Sequence, residues 1–163
     1  MALNVFLSYS TEPDENVIVW RLQTLAAANG IEVFVPPRIE GKLISARPAL
    51  LSAAVRRAIE QADCVLAIIT TATSSVVESE LNYALAKNRT IIPIVESGIA
   101  DSPFLRQFQN IFRFDRTMQP GQVESEVVQF LKGKAIEKDR SQTIAALVGI
   151  GIGLLLLAGA SKD

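Results

Sequence analysis

The chain contains no histidine. That absence removes imidazole bases, imidazole metal ligands and every Ser-His or Cys-His nucleophile arrangement. Cysteine is nearly absent as well. Cys64 stands alone, so an intramolecular disulfide is impossible. It lies in the apolar run Cys64-Val65-Leu66-Ala67-Ile68-Ile69, the setting of a buried, inert thiol in a reducing compartment. An excess of either charge is missing too: 16 Lys and Arg stand against 17 Asp and Glu in 163 residues. No basic patch therefore calls for nucleic acid, and no acidic tail calls for disorder. No G-x-G-x-x-G follows a strand pattern and no Walker sequence occurs, so the two common phosphate-cradling loops are lacking. Neither a metal ion nor a resident cofactor is expected. Met1-Ala2-Leu3-Asn4 has no basic flank and leads directly into a strand pattern, unlike a signal peptide.

What the chain does have is one long apolar run. The 21 residues from Ser141 to Ser161 carry no charge. As a helix rising about 1.5 Å per residue they reach roughly 31 Å, the thickness of a hydrocarbon core of about 30 Å. The centre, Leu147 to Leu157, is apolar all round and has no face for solvent. A membrane helix over 143–160 is expected, joined by a charged linker (135–142) to a domain over 1–134. Lys132, Lys134, Lys138 and Arg140 precede the span and only Lys162 follows it. The positive-inside bias then keeps the domain in the cytoplasm, as in a single-pass tail anchor. Gly149 and Gly153 form a G-x-x-x-G pair through which two such helices could pack.

The first 134 residues alternate strand and helix signals. Strand patterns occur at Asn4–Ser8, Ile31–Val35, Cys64–Thr70, Thr90–Val95 and Ile111–Phe114. Between them, helix patterns place Ile18, Leu22 and Leu25 on one face, then Leu51, Val55, Ala58, Ile59 and Ala62, then Leu81, Ala84 and Leu85; a last helix carries Val123, Val127, Phe130 and Leu131. Asn29-Gly30 reads as a helix stop, residues 99–110 as irregular or weakly helical, and Pro93 as a residue near a sheet edge or strand end. Five strands alternating with helices describe an α/β, flavodoxin-like, doubly wound parallel sheet. Ligands bind such sheets beyond the C-terminal strand ends, at a topological switch point. Ser8 to Ser10, Pro36 to Arg47 and Thr70 to Glu80 are the segments that fall there. A response-regulator receiver would need an acidic pocket at these ends, where this chain has Ser8-Tyr9-Ser10 and Thr70-Thr71.

Two carboxylates open the third helix. Ser75 and Glu78 have the spacing of a capping box, a structural role. Glu80 precedes the inward Leu81 and sits at the rim of the buried face, so position alone leaves two readings: a solvated first-turn Glu favoured by the helix dipole, or a partly desolvated carboxylate aimed into the strand-end cleft.

Phe6-Leu7-Ser8-Tyr9-Ser10, the glycine-containing Ile39-Glu40-Gly41-Lys42-Leu43-Ile44, the run Ala58 to Thr70, the segment Ser75-Val76-Val77-Glu78-Ser79-Glu80-Leu81-Asn82-Tyr83-Ala84 and Ile91-Ile92-Pro93-Ile94 occur in an order that resembles the Toll/interleukin-1 receptor (TIR) domain family. The second of these resembles the family's BB loop, the fourth its Ser-Trp-Cys-x-x-Glu-Leu-x-x-Ala pattern. Many TIR domains, bacterial ones in particular, hydrolyse or cyclise NAD with one Glu of that pattern. The resemblance puts that role on Glu80, with Tyr9, Ser10, Gly41 and Ser75 lining the substrate cleft and NAD as substrate. It also implies self-association of TIR domains and a part in prokaryotic defence, including antiviral defence, or stress signalling. Val76-Val77 stand where the family usually has Trp-Cys, and Pro36-Pro37 where its BB loop usually starts with an acidic residue. Two alternatives accompany this reading: a non-catalytic TIR adaptor acting by self-association, and an enzyme similar to nucleoside deoxyribosyltransferases, which also cleave N-glycosidic bonds with a Glu.

Overall fold

A computed structural model of the chain describes residues 2–10, 13–36, 51–70, 75–115, 117 and 121–138. The BB-like loop with Gly41, and the apolar run with Gly149 and Gly153, lie outside the described residues. Among the described residues no helix is long and apolar enough to cross a membrane.

The elements follow in the order β1 (Asn4–Ser8), α1 (Pro13–Ala28), β2 (Glu32–Phe34), α2 (Ala53–Gln61), β3 (Cys64–Ile69), α3 (Ser75–Ala86), β4 (Thr90–Glu96), α4 (Pro103–Arg106) and β5 (Phe112–Phe114). A last helix, α5, occupies residues 122–138. The five strands form one parallel sheet in the order β2-β1-β3-β4-β5. This is the flavodoxin-like winding expected from the alternation of patterns. β3 is an unbroken apolar run because helices cover both faces, and its first five residues are buried.

One face packs Val5, Leu7, Leu66, Ile68, Ile92 and Ile94 against Ile18, Val19 and Leu22 of α1 and Val123, Val127 and Leu131 of α5. The other packs Phe6, Val65, Ala67 and Ile91 against Ile59 of α2 and Val77, Leu81 and Ala84 of α3. Odd and even strand positions thus serve different helices, as the two-residue period requires.

The helix stops are built from backbone. Gly30 has φ +71°, with Gly30 N–H donating to Ala27 and Ile31 N–H to Ala26, the paired bonds of a Schellman motif. Asn88, at φ 54°, closes α3 in the same way through Asn88 to Leu85 and Arg89 to Ala84. The weakly helical stretch holds a single turn, α4, capped by Ser102, whose Oγ accepts from Leu105 N–H at 3.2 Å.

Two expectations change. β4 lies between β3 and β5, with Pro93 at its centre opposite Ala67, so this proline is not on an edge strand. Ser97 N–H donates to Phe114 of β5, and alternation carries that direction back to positions 95 and 93. β5 pairs only from Ile94 onward, so the nitrogen of Pro93 faces a side where no partner has begun. The stretch read as a linker from 135 is helical through 138. Ala135 packs against the core, and Lys138 Nζ reaches Asp63 Oδ2 at 2.7 Å and the Ala2 carbonyl at 3.0 Å. Asp63 Oδ2 also accepts from Asn4 N–H at 2.8 Å, so Lys138 of α5 lies against the N-terminal ends of β1 and β3.

Candidate active site at the switch point

β1 and β3 are neighbours whose connections run in opposite directions, to β2 through α1 and to β4 through α3. The crevice beyond their C-terminal ends is therefore the switch point, where an α/β sheet leaves room for a ligand. Their ladder ends at Ser8 opposite Ala67. Ser8 shares its parity with Phe6 and faces α3.

Glu80 meets it there. The carboxylate is fully buried, at 0% exposure, and Ser8 Oγ donates to its Oε2 at 2.5 Å. Of the two readings left open for Glu80, the solvated first-turn carboxylate is thus excluded. A buried carboxylate is costly unless it is hydrogen-bonded, and an O–H donor to an ionised oxygen makes a bond about twice as strong as a neutral one. The bond also holds the carboxylate toward β1.

Glu78 points elsewhere. Glu78 and Asn82, one turn apart on α3, line a cavity of about 490 Å³ together with Thr70, Leu81, Phe104 and Leu105. Glu80 lies between them in sequence and faces the sheet, as helical spacing dictates. Glu78 is exposed. Ser75 is the first described residue of α3 and is itself helical. The Ser75 carbonyl accepts from Ser79 Oγ at 2.9 Å.

A second buried carboxylate serves the other side of the same strand ends. Glu15, the third residue of α1, is 1% exposed. Its Oε2 accepts from Ser10 N–H and its Oε1 from Thr70 Oγ1, each at 2.6 Å. A carboxylate in the first turn of a helix is stabilised by the helix dipole, which offsets part of its burial cost.

The residues expected to line the cleft divide accordingly. Ser10 and Tyr9 lie at the end of β1, but Tyr9 packs in the α1–α5 core and donates its hydroxyl to the Pro36 carbonyl at 3.0 Å. Ser75 is exposed at the start of α3. Gly41 lies outside the described residues. Sequence reasoning did not single out Ser8 and Glu15 as site residues. Each carried a signal: Ser8 is a polar residue at an inward strand position, and Glu15 falls on the stripe of Ile18 and Leu22. Among the described residues no group of acidic or thiol side chains is disposed to hold a metal ion. Cys64 is buried, and desolvation, with a smaller contribution from Asp63, pushes its thiol up to about 12.

Known structures share this architecture. A CMP N-glycosidase of Clostridium botulinum, BcmB, superposes with a TM-score of 0.51 at 19% identity, over 78% of this chain and 96% of its own. A diflavin flavoprotein A3 from Nostoc sp. superposes with a TM-score of 0.52 at 13% identity, over 88% of this chain and 97% of that one. At such identities the likeness shows the fold alone. No curated protein matches the chain. The TIR domain family model matches residues 5–129, which run from β1 into the first half of α5 and include Ser8, Glu15 and Glu80. This chain belongs to the TIR domain family.

Proposed function

We propose that this is a membrane-anchored TIR enzyme that cleaves the N-glycosidic bond of NAD in prokaryotic defence or stress signalling. The observation that carries the reading is Glu80, a fully buried carboxylate held by Ser8 at the switch point of a TIR fold. The nicotinamide of NAD is already a cationic leaving group and needs no general acid. The bond from ribose C1′ to the pyridinium nitrogen breaks, and its electron pair leaves with neutral nicotinamide. The oxocarbenium-like centre that develops is stabilised by an adjacent carboxylate, as in glycoside cleavage. Water then adds at C1′ and releases a proton, giving ADP-ribose; attack by the adenine ring of the same molecule gives a cyclic product instead. A chain without histidine loses nothing in this mechanism.

The burial of Glu80 in the single chain supports a further part of the reading, that activity depends on TIR–TIR assembly opening the cleft to substrate. The apolar run of 143–160 would tether the domain, with G-x-x-x-G packing of Gly149 and Gly153 as one route to assembly. Confinement to a membrane raises the local concentration of domains without new contacts.

A second reading is a nucleoside or nucleotide N-glycosidase, the activity for which the structurally similar Clostridium botulinum protein is named. A non-catalytic adaptor is the third. The test is substrate consumption by the full chain, dilute in detergent and crowded on vesicles, with NAD, CMP and a deoxynucleoside. Loss of NAD alone, steeper on vesicles, is expected. Loss of CMP or the deoxynucleoside with NAD intact selects the second reading, and no loss under either condition selects the adaptor.

A further inference from the structure

We infer that Glu15 is a positioning residue of the switch-point cleft, acting on Glu80 through the end of β1. The inference rests on the catalytic reading of Glu80. The ladder between β1 and β3 stops at Ser8 and Ala67, where the two strands part toward different helices. Beyond that point the Glu15 carboxylate bridges them: Glu15 Oε2 takes the Ser10 N–H and Oε1 takes the Thr70 hydroxyl, each at 2.6 Å. Among the described residues the side chain takes over where the ladder stops. Ser8, the last residue of β1, lies two residues before Ser10, and its hydroxyl holds Glu80 on the α3 side. The clamp on one face of β1 therefore sets the height and tilt of the donor on the other.

The alternative use of a buried first-turn Glu is stability alone. The geometry favours positioning because both of these bonds fall on the two strand ends that form the crevice. Displacement of a reacting group by about 1 Å can cost on the order of 100-fold in rate. The clamp needs two polar contacts but no charge. A glutamine at this position keeps them: its carbonyl accepts from Ser10 N–H, and its amide donates to Thr70 Oγ1 once that hydroxyl rotates. Alanine keeps neither.

The test uses the full chain in detergent and two readouts. In the first, Glu15→Ala lowers kcat for NAD cleavage by at least about tenfold with KM within about threefold, while Glu15→Gln stays near wild type. Thr70→Val behaves like the alanine variant and Thr70→Ser like wild type, which keeps the test sound if Glu15→Ala does not fold. In the second, which needs no turnover, the side-chain carboxyl ¹³C resonance of Glu80 shifts in Glu15→Ala or Thr70→Val toward its position in Ser8→Ala, and stays in place in Glu15→Gln. An inactive wild-type chain would count against the catalytic reading, and the resonance would still decide the clamp. An unmoved Glu80 resonance, or wild-type kcat in folded Glu15→Ala or Thr70→Val, overturns the inference.

Discussion

Ser8 and Glu80, separated by 72 residues in the chain, meet across the C-terminal edge of the sheet in a buried hydrogen bond of 2.5 Å. One ends β1 and the other lies in the second turn of α3, so the contact exists only when the switch point is assembled.

Ser8→Ala leaves the Glu80 carboxylate in its buried place with one donor fewer. Losing a buried hydrogen bond to a charged group costs about 1.5–3 kcal/mol, and the same loss frees the carboxylate to rotate. Chemical denaturation is expected to show a midpoint shift of that size without a change in slope, and kcat for NAD cleavage is expected to fall more than KM rises. A variant with wild-type stability and wild-type kcat would show that the bond orients nothing.

Much of the fold was legible because its signals are local. The apolar run Cys64–Ile69, the stop at Asn29-Gly30 and the stripe of Val123, Val127 and Leu131 each have one dominant physical reading. Glu80 was singled out by resemblance to the family, while its position alone left open whether it is buried, as it is. Pro93 misled because proline was weighed against the strand as a whole. What decides its fit is which neighbour its nitrogen faces, and that depends on where β5 begins. Ser8 and Glu15 were visible as polar residues on inward positions, but the partners that join them across the sheet, Glu80 and Thr70, are 72 and 55 residues away and no local pattern names them. The helical run through 138 was hidden because Lys134, Glu137 and Lys138 look like a solvated linker until Asp63 is beside them.

The tail has its own test. Alkaline carbonate washing is expected to leave the full chain in the membrane pellet, while a chain cut after residue 138 partitions to the supernatant. The cut belongs after 138 and not after 134, since Lys138 joins Asp63 and the Ala2 carbonyl. A surface ion pair of this kind adds up to about 1 kcal/mol, so the shorter cut is expected to melt a few degrees lower. Full-length protein in the carbonate supernatant would remove the anchor from the account.

Cys64 is expected to resist thiol reagents in the folded protein and to react once the chain is unfolded in denaturant. Burial holds its thiol at about 12 against an ordinary value of 9.0, so the native thiolate is scarce at pH 8. The sign for stability follows from the raised value. Below about pH 9 both states keep the proton, and above it the unfolded chain ionises while the folded one does not, so stability falls as pH rises toward 12. Rapid labelling of the native protein at pH 8 would place Cys64 outside the core.

The proposed chemistry rests on Glu80, and Glu78 on the same helix supplies the control. Full-length Glu80→Gln and Glu78→Gln are compared with wild type on vesicles by the rate of nicotinamide release from NAD, with circular dichroism to confirm folding. Glu80→Gln is expected to be folded and to release no nicotinamide above background, whereas the exposed Glu78 faces the α4 side and its variant should retain most of the wild-type rate. Nicotinamide release by Glu80→Gln at the wild-type rate, or its loss in Glu78→Gln alone, would take the reaction away from Glu80.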